Sequence, residues 1–278
     1  MIQDVVKRGL DASHSKQSTH AFVSSLGVPD LKAHTSPFDP GYDVQTVISH
    51  LEQSHHLISR LKLSMACWLI ADESATRAKI AAAKRLGVPL ATGGGPFEIS
   101  EDKGRLQGFF ELVASLGVDR VEAGEGFTRL TKPPKEYVRL AERCGLSVQM
   151  ELGDKHAGAF TPAVVAELID DGYRWLDAGA QALVVEARES AQQVGLFDDS
   201  GKLNFEAAEA FAAAFGMEKT IFEAPNKRSQ FDFLRHFGNQ VNLSNVRLEE
   251  LLRVEIYRRG LHSDAYAHEL APRPVPAA

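Results

Sequence analysis

Polar side chains follow short apolar runs along this chain, and the densest cluster is Val184-Val185-Glu186-Ala187-Arg188-Glu189-Ser190. A run typical of a buried strand passes there directly into two carboxylates and a guanidinium. Similar clusters end other apolar runs: Asp39 with Gly41, Lys62, Gly93 to Gly95 with Glu98, Glu122 with Glu125, and Glu151 with Lys155. Further along stand Glu223 with Asn226, Lys227 and Arg228, then Asn242, Ser244 and Asn245. Carboxylates brought together repel unless cations offset them, so lysines or a divalent ion must share such a site. Hard oxygen donors without a His/Cys cluster favour Mg2+, or else Mn2+, over Zn2+.

Individual residues point to particular chemistry. Lys155 follows Glu151 and Gly153 and could protonate a developing carbanion or neutralise an enolate, and Lys62 within Leu61-Lys62-Leu63 could reach the same centre. The alternative for both lysines is a stem lying on the surface with its charge in water. Gly94 and Gly95, in Thr92-Gly93-Gly94-Gly95-Pro96, either cradle an anion with their backbone N–H groups or form a tight turn. Lys227 and Arg228 stand where a helix begins after the seventh run, and Asn242, Ser244 and Asn245 lead into the helix after the eighth. Barrels commonly bind phosphate with those two loops, which suggests a small anionic phosphorylated substrate. Solvated helix-face charges are the plainer reading of Lys227 and Arg228.

The elements that would position these residues recur with one period. Strands are expected near Leu31–Pro37, Arg60–Trp68, Val88–Thr92, Arg120–Ala123, Leu146–Leu152, Ala182–Ala187, Thr220–Ala224 and Val241–Ser244. The helices between them are expected at Val44–Ser59, Glu73–Leu86, Lys103–Leu116, Pro134–Cys144, Pro162–Ala178, Phe205–Phe215, Lys227–Phe237 and Leu248–Tyr257. Such alternation predicts an α/β fold with a parallel sheet. Eight repeats favour a single (β/α)8 TIM-type barrel over residues 31–266, preceded by an extension over 1–30 and followed by a flexible Pro/Ala-rich tail over 267–278. No G-x-G-x-x-G or P-loop stands in the first βα turn, which argues against a nucleotide-binding sheet.

Composition narrows the function classes. The 278 residues suit one barrel of roughly 250 residues with short extensions. With 44% hydrophobic and 24% charged residues, the chain can bury a sizeable core and is not disordered. A net charge of −6 with scattered cations excludes a nucleic-acid-binding face. Cys67 and Cys144 lack metal-ligand spacing and are too few for a disulfide framework, so a cytoplasmic setting is expected. No leader-like apolar segment and no run of roughly 18 apolar residues stands in the sequence, so no membrane role is expected.

From Ser36 to Tyr266 the chain resembles the phosphosulfolactate synthase family. The resemblance rests on Glu186-Ala-Arg-Glu-Ser190 continuing through Val194-Gly-Leu-Phe-Asp198, on Ile221-Phe-Glu-Ala-Pro225, on Val241-Asn-Leu243 and on Tyr257-Arg-Arg-Gly-Leu261. It implies a carbon–sulfur lyase of coenzyme M biosynthesis that adds sulfite to phosphoenolpyruvate with Mg2+, giving (2R)-3-phosphosulfolactate. By resemblance Lys155 would be the general acid, with Lys62 second, and Glu151, Glu186 and Glu223 would hold the metal. Arg188 would contact an anionic group, Lys227 with the loop after strand eight would take the phosphate, and a homo-oligomer is expected. The chain departs from the family at Ser64-Met-Ala-Cys-Trp68, where a glycine-rich segment is usual, at Arg188-Glu-Ser-Ala-Gln-Gln193, where Gly-Lys-Gly is usual after the serine, and at Glu125, where an aspartate is often seen. Those departures leave open a paralogue using another nucleophile or phospho-acid. A non-catalytic barrel similar to plant heat-stress-associated proteins is the remaining alternative, and converging charges without a ligand argue against it.

Overall fold

Eight parallel strands pair in sequence order and close on themselves, β1 against β8. The strands are β1 (Thr35–Asp39), β2 (Leu61–Leu63), β3 (Leu90–Thr92), β4 (Arg120–Gly124), β5 (Ser147–Leu152), β6 (Leu183–Val185), β7 (Thr220–Glu223) and β8 (Asn242–Arg247). The structure is a computed structural model and describes residues 18–266. The proposed tail over 267–278 and the first 17 residues of the proposed extension lie outside the described residues. Contacts divide the chain after Leu31. The described part of the first unit holds helix α1 (Thr19–Ser25), capped by the Ser18 side chain.

Helices connect the strands of the barrel: α2 (Val44–Ser54), α3 (Cys67–Ile70), α4 (Glu73–Arg85), α5 (Gly94–Asp102), α6 (Leu106–Leu116) and α7 (Pro134–Arg143). The series continues with α8 (Pro162–Ala178), α9 (Phe205–Phe215), α10 (Lys227–Phe237) and α11 (Leu251–Arg258). Local chemistry fixes many of their starts. Asp43, Asp72, Thr161, Asn204 and Asn226 each accept a backbone N–H at a helix N-terminus, and Asn226 with Ser229 closes a reciprocal capping box.

Alternation along the strands explains how apolar runs can carry charge. Leu61 and Leu63 flank Lys62, Val121 and Ala123 flank Glu122, and Met150 and Leu152 flank Glu151, all of them buried. Successive side chains point to opposite faces of a strand. The apolar set packs under the helices, where Phe222 stacks on Phe233 and Phe237 at 4.6 and 5.3 Å and Tyr137 stacks on Trp175 at 6.0 Å. The charged set is left facing the barrel axis.

Three elements differ from the sequence expectation. The second strand stops at Leu63, because Met65 adopts a left-handed backbone (φ 52°) and Cys67–Ile70 turns into α3. The glycine run, expected as a loop or tight turn, opens helix α5, with Gly93 as its N-cap. Strand eight continues past Ser244 to Arg247, and a 3-10 turn over Leu248–Glu250 precedes α11.

At the barrel's N-terminal end, the fully buried Arg258 donates to the carbonyls of Asn239 and Val241, to Thr35 Oγ1 and to Glu255 Oε1. This network ties α11 to β1 and to the entrance of β8. No helix among the described residues is long and apolar enough to cross a membrane.

Candidate active site

Four consecutive strands, β4 to β7, each deliver one glutamate to the C-terminal mouth of the barrel. Glu122 lies in β4, Glu151 in β5, Glu186 just after β6, and Glu223 at the end of β7. In the strand pairing Glu122 lies beside Gln149, Glu151 beside Gly124 and Val184, and Glu223 beside Ser244. All four carboxylates are buried and line one cavity of about 620 Å3.

Two lysines hold this ring together. Lys62 Nζ, reaching up from β2, lies 2.7 Å from Glu122 Oε1 and 3.3 Å from Glu223 Oε1, and donates to Asn245 Oδ1 at 3.2 Å. Lys155 Nζ lies between Glu151 and Glu186 and donates to both. The backbone supplies further donors: Gly94 N to Glu122 at 3.0 Å, Ala187 N to Glu223 at 2.9 Å, and Arg188 N to Glu186. Gln149 Nε2 completes the set at 2.8 Å from Glu122 Oε2.

These neighbours push the proton affinities apart. Burial opposes the ammonium of Lys155, yet the Glu151, Glu186 and Glu223 carboxylates outweigh it and hold the group far above the usual lysine range. Lys62 behaves alike between Glu122 and Glu223. Burial also opposes charge on Glu151, but Lys155 and Lys62 pull its pKa down to about 2. Burial, reinforced by Glu151 and Glu223, holds Glu186 well above the ordinary carboxylate range. Burial raises Glu122 to about 7, with Lys62 opposing and Glu151 and Glu223 adding to the rise. The site therefore favours two ammonium groups beside two carboxyls, Glu122 and Glu186, whose charged forms are disfavoured.

The walls differ from the floor. Arg188 and Glu189 stand on the rim after β6, and Asn245 and Arg247 on the rim of β8. Met65, Ile99 and Phe127 contribute an exposed apolar edge. Phe127 is fixed because Glu98 Oε2, on α5, accepts Phe127 N, Thr128 N and Thr128 Oγ1 at 2.9 to 3.0 Å. The same loop backs the lysine: Gly126 O accepts Lys155 N, and a Cβ on Gly126 would stand 2.8 Å from Lys155 Cε.

Of the residues singled out in the sequence, Lys62, Gly94, Gly95, Glu151, Lys155, Glu186, Arg188, Glu223 and Asn245 line this cavity. Gly94 N faces Glu122, so that amide is already engaged. Lys227 and Arg228 are not brought to the cavity: Lys227 Nζ pairs with Asp264 at 3.1 Å, and Arg228 donates to Ser200 O at 2.8 Å. Asn242 opens β8 at the far end of the barrel, where its amide donates to Met217 O and Thr220 O. Ser244 is buried outside the cavity lining, and Asp39 is drawn to Lys79 at 2.8 Å. Arg247 was not anticipated, because the polar Asn245 ends the apolar run two residues before it. Among the described residues no three acidic, histidine or cysteine side chains converge as a metal site, since the ammonium groups stand between the carboxylates.

Comparison with known proteins adds an independent line. A family described as (2R)-phospho-3-sulfolactate synthase (ComA) matches residues 28–264. A phosphosulfolactate synthase of Methanocaldococcus jannaschii is 30% identical over 233 residues, covering 84% of this chain and 93% of the relative. One of Bacillus subtilis is 25% identical over 229 residues, covering 82% and 90%. Among solved structures, KGPDC of Streptococcus mutans superposes with a TM-score of 0.52 at 12% identity, over 82% of this chain and 99% of the other, a likeness of fold alone.

Proposed function

The chain belongs to the (2R)-phospho-3-sulfolactate synthase family, and we propose that it adds sulfite to phosphoenolpyruvate at the mouth of the barrel. The observation that carries this reading is Lys155, an ammonium held between Glu151 and Glu186 in the cavity. In the reaction a bond forms between the sulfite sulfur and C3, and the C2–C3 π pair moves to C2 and into the adjoining carboxylate. The resulting aci-carboxylate carries an added negative charge, which Lys62 and Lys155 stabilise. Lys155 then gives its Nζ proton to C2 from one face, which sets the configuration, and solvent at the open mouth, where the Lys155 side chain is 22% exposed, returns the proton.

Mg2+ is the cofactor this reading adds: its hard-oxygen donors would be Glu151, Glu186 and Glu223, once Lys62 and Lys155 give up their contacts with them. Burial, with neighbouring carboxylates, raises Glu122 and Glu186, and a divalent ion beside them would oppose that rise. When bound by Glu151, Glu186 and Glu223, the ion would act as a Lewis acid toward the aci-carboxylate. Removing metal with a chelator is expected to lower turnover, and added Mg2+ to restore it; full turnover after exhaustive chelation would remove the metal from this reading. The half-buried free cysteines Cys67 and Cys144 suit a reducing cytoplasm. The apolar groups Leu69, Ile70 and Leu112 exposed on α3 and α6 support a homo-oligomer, which light scattering would register.

The deciding assay follows phosphoenolpyruvate by 31P NMR with and without sulfite. Sulfite-dependent conversion is expected, and Lys155→Met should lower it by about 100-fold or more while the circular dichroism stays unchanged. Equal turnover in Lys155→Met would exclude its role as the acid. The apolar edge of Met65, Ile99 and Phe127 favours one second reading, a different nucleophile added to the same acceptor. Loss of phosphoenolpyruvate without sulfite would select it.

A further inference from the structure

We infer that Arg188 and Arg247 together form the subsite that takes the phosphoryl group, on the rim between the ends of β6 and β8. This deepens the reading above and rests on it for the identity of the phosphorylated acceptor. Four cationic side chains line the cavity: Lys62, Lys155, Arg188 and Arg247. Both lysines are committed to the glutamate ring, each to two carboxylates. The two arginines are not: among the described residues neither guanidinium makes an ion pair.

Each guanidinium is nevertheless held in place. Arg188 adopts a left-handed backbone (φ 55°), and its Nη1 donates to Lys155 O at 3.1 Å. That single bond leaves most of its five N–H groups unspent. Arg247 lies over the Phe38 ring, 5.6 Å from its centroid, beside the Tyr42 hydroxyl. Tyr42 in turn donates to Glu249. Glu189 lies close enough to Arg247 for its charge to be felt there, so the loop after β6 and the end of β8 are neighbours. Asn226 Nδ2 donates to Ser190 O at 3.1 Å and steadies the same loop from the start of α10.

The chemistry selects the ligand. Planar guanidinium forks match the oxygens of a phosphate in pairs, and two forks on separate loops suit a dianion better than a single carboxylate does. Asn245 accepts from Lys62 through Oδ1, which leaves its Nδ2 as an additional donor on the same rim. An acceptor clamped at this rim directs its other end toward Lys62 and Lys155, where the developing charge needs to be. The alternative suggested by the sequence, Lys227 and Arg228, is removed by their own partners, since Lys227 also lies over Phe231 at 5.1 Å.

Direct titration with inorganic phosphate against a chloride control of equal ionic strength tests the subsite. Wild type is expected to bind phosphate, Arg247→Gln and Arg188→Gln each to weaken binding by about 10-fold or more, and Lys227→Gln to leave it unchanged. Arg247→Lys is expected to restore only part of the loss, because an ammonium keeps the charge without the fork. Absence of phosphate binding in wild type, or weakening of less than about twofold in both arginine variants, would overturn the inference. Turnover separates this outcome from that of the parent reading. A protein that binds phosphate through the pair but does not consume phosphoenolpyruvate keeps the subsite and loses the reaction. Sulfite-dependent turnover with an unchanged KM for phosphoenolpyruvate in Arg247→Gln keeps the reaction and loses the subsite.

Discussion

Glu122 meets conflicting demands, because it pairs with Lys62 and accepts from Gly94 and Gln149 while burial and two neighbouring carboxylates raise its pKa to about 7. A carboxyl raised from 4.5 in the unfolded chain contributes stability that is full below that value and is lost as pH rises through about 7. The difference in melting temperature between wild type and Glu122→Gln is therefore expected to shift against wild type from pH 4.5 to 8. Calorimetry at constant ionic strength checks this, and a difference independent of pH would contradict it. Glu151 carries the opposite sign: lowered to about 2, its contribution is present above 4.5 and fades as pH falls toward 2. Glu151, Glu186 and Glu223 were legible in the sequence because each interrupts or ends an apolar run. Nothing local in the sequence shows that two lysines stand between the carboxylates, since Lys62 and Glu223 are 161 residues apart.

At the scale of the element, α5 links the ring to the wall. Its first amide holds Glu122, Glu98 holds Phe127 and Thr128, and Glu101 accepts Thr131 Oγ1 and the Tyr137 hydroxyl. Replacing Glu98 with Ala leaves the Phe127 and Thr128 amides without their acceptor, at a cost of about 2 to 4 kcal/mol. Faster hydrogen exchange at those two amides is the specific sign, and unchanged exchange would show that the loop holds itself. Gly195 is as demanding: at φ 57°, a Cβ there would stand 1.9 Å from Glu186 O, so Gly195→Ala should cost about 2 to 4 kcal/mol and displace Glu186. Thermal unfolding and turnover report the two effects separately. The helix boundaries at Phe205–Phe215 and Lys227–Phe237 follow from caps and periodicity and are found where the sequence places them. Helix α5 escapes that logic because three glycines and a proline suggest a turn, whereas Gly93 and the first-turn proline are both tolerated at a helix start.

For the barrel as a whole, stability and chemistry occupy opposite ends. Arg258, buried beneath β1 and β8, touches nothing in the cavity. Arg258→Met removes one partner of a buried pair and should cost about 3 to 5 kcal/mol, while kcat and KM per folded molecule stay unchanged. A changed KM would show that the two ends are coupled. The closed eightfold order was legible because alternation of strand and helix signals survives errors at single boundaries. The position of the anion-binding rim was not, because it depends on which loops become neighbours only after closure.

The Lys62 ammonium reaches from β2 to carboxylates on β4 and β7, and this has a consequence for how the protein is made. Its arm to Glu223 joins residues 161 apart, more than half of the 278-residue chain. The glutamate ring thus cannot be completed by either half of the chain alone. In a refolding experiment, turnover should return only with final closure, after the helical signal has recovered. Enzymatic activity would then time the joining of β1 to β8.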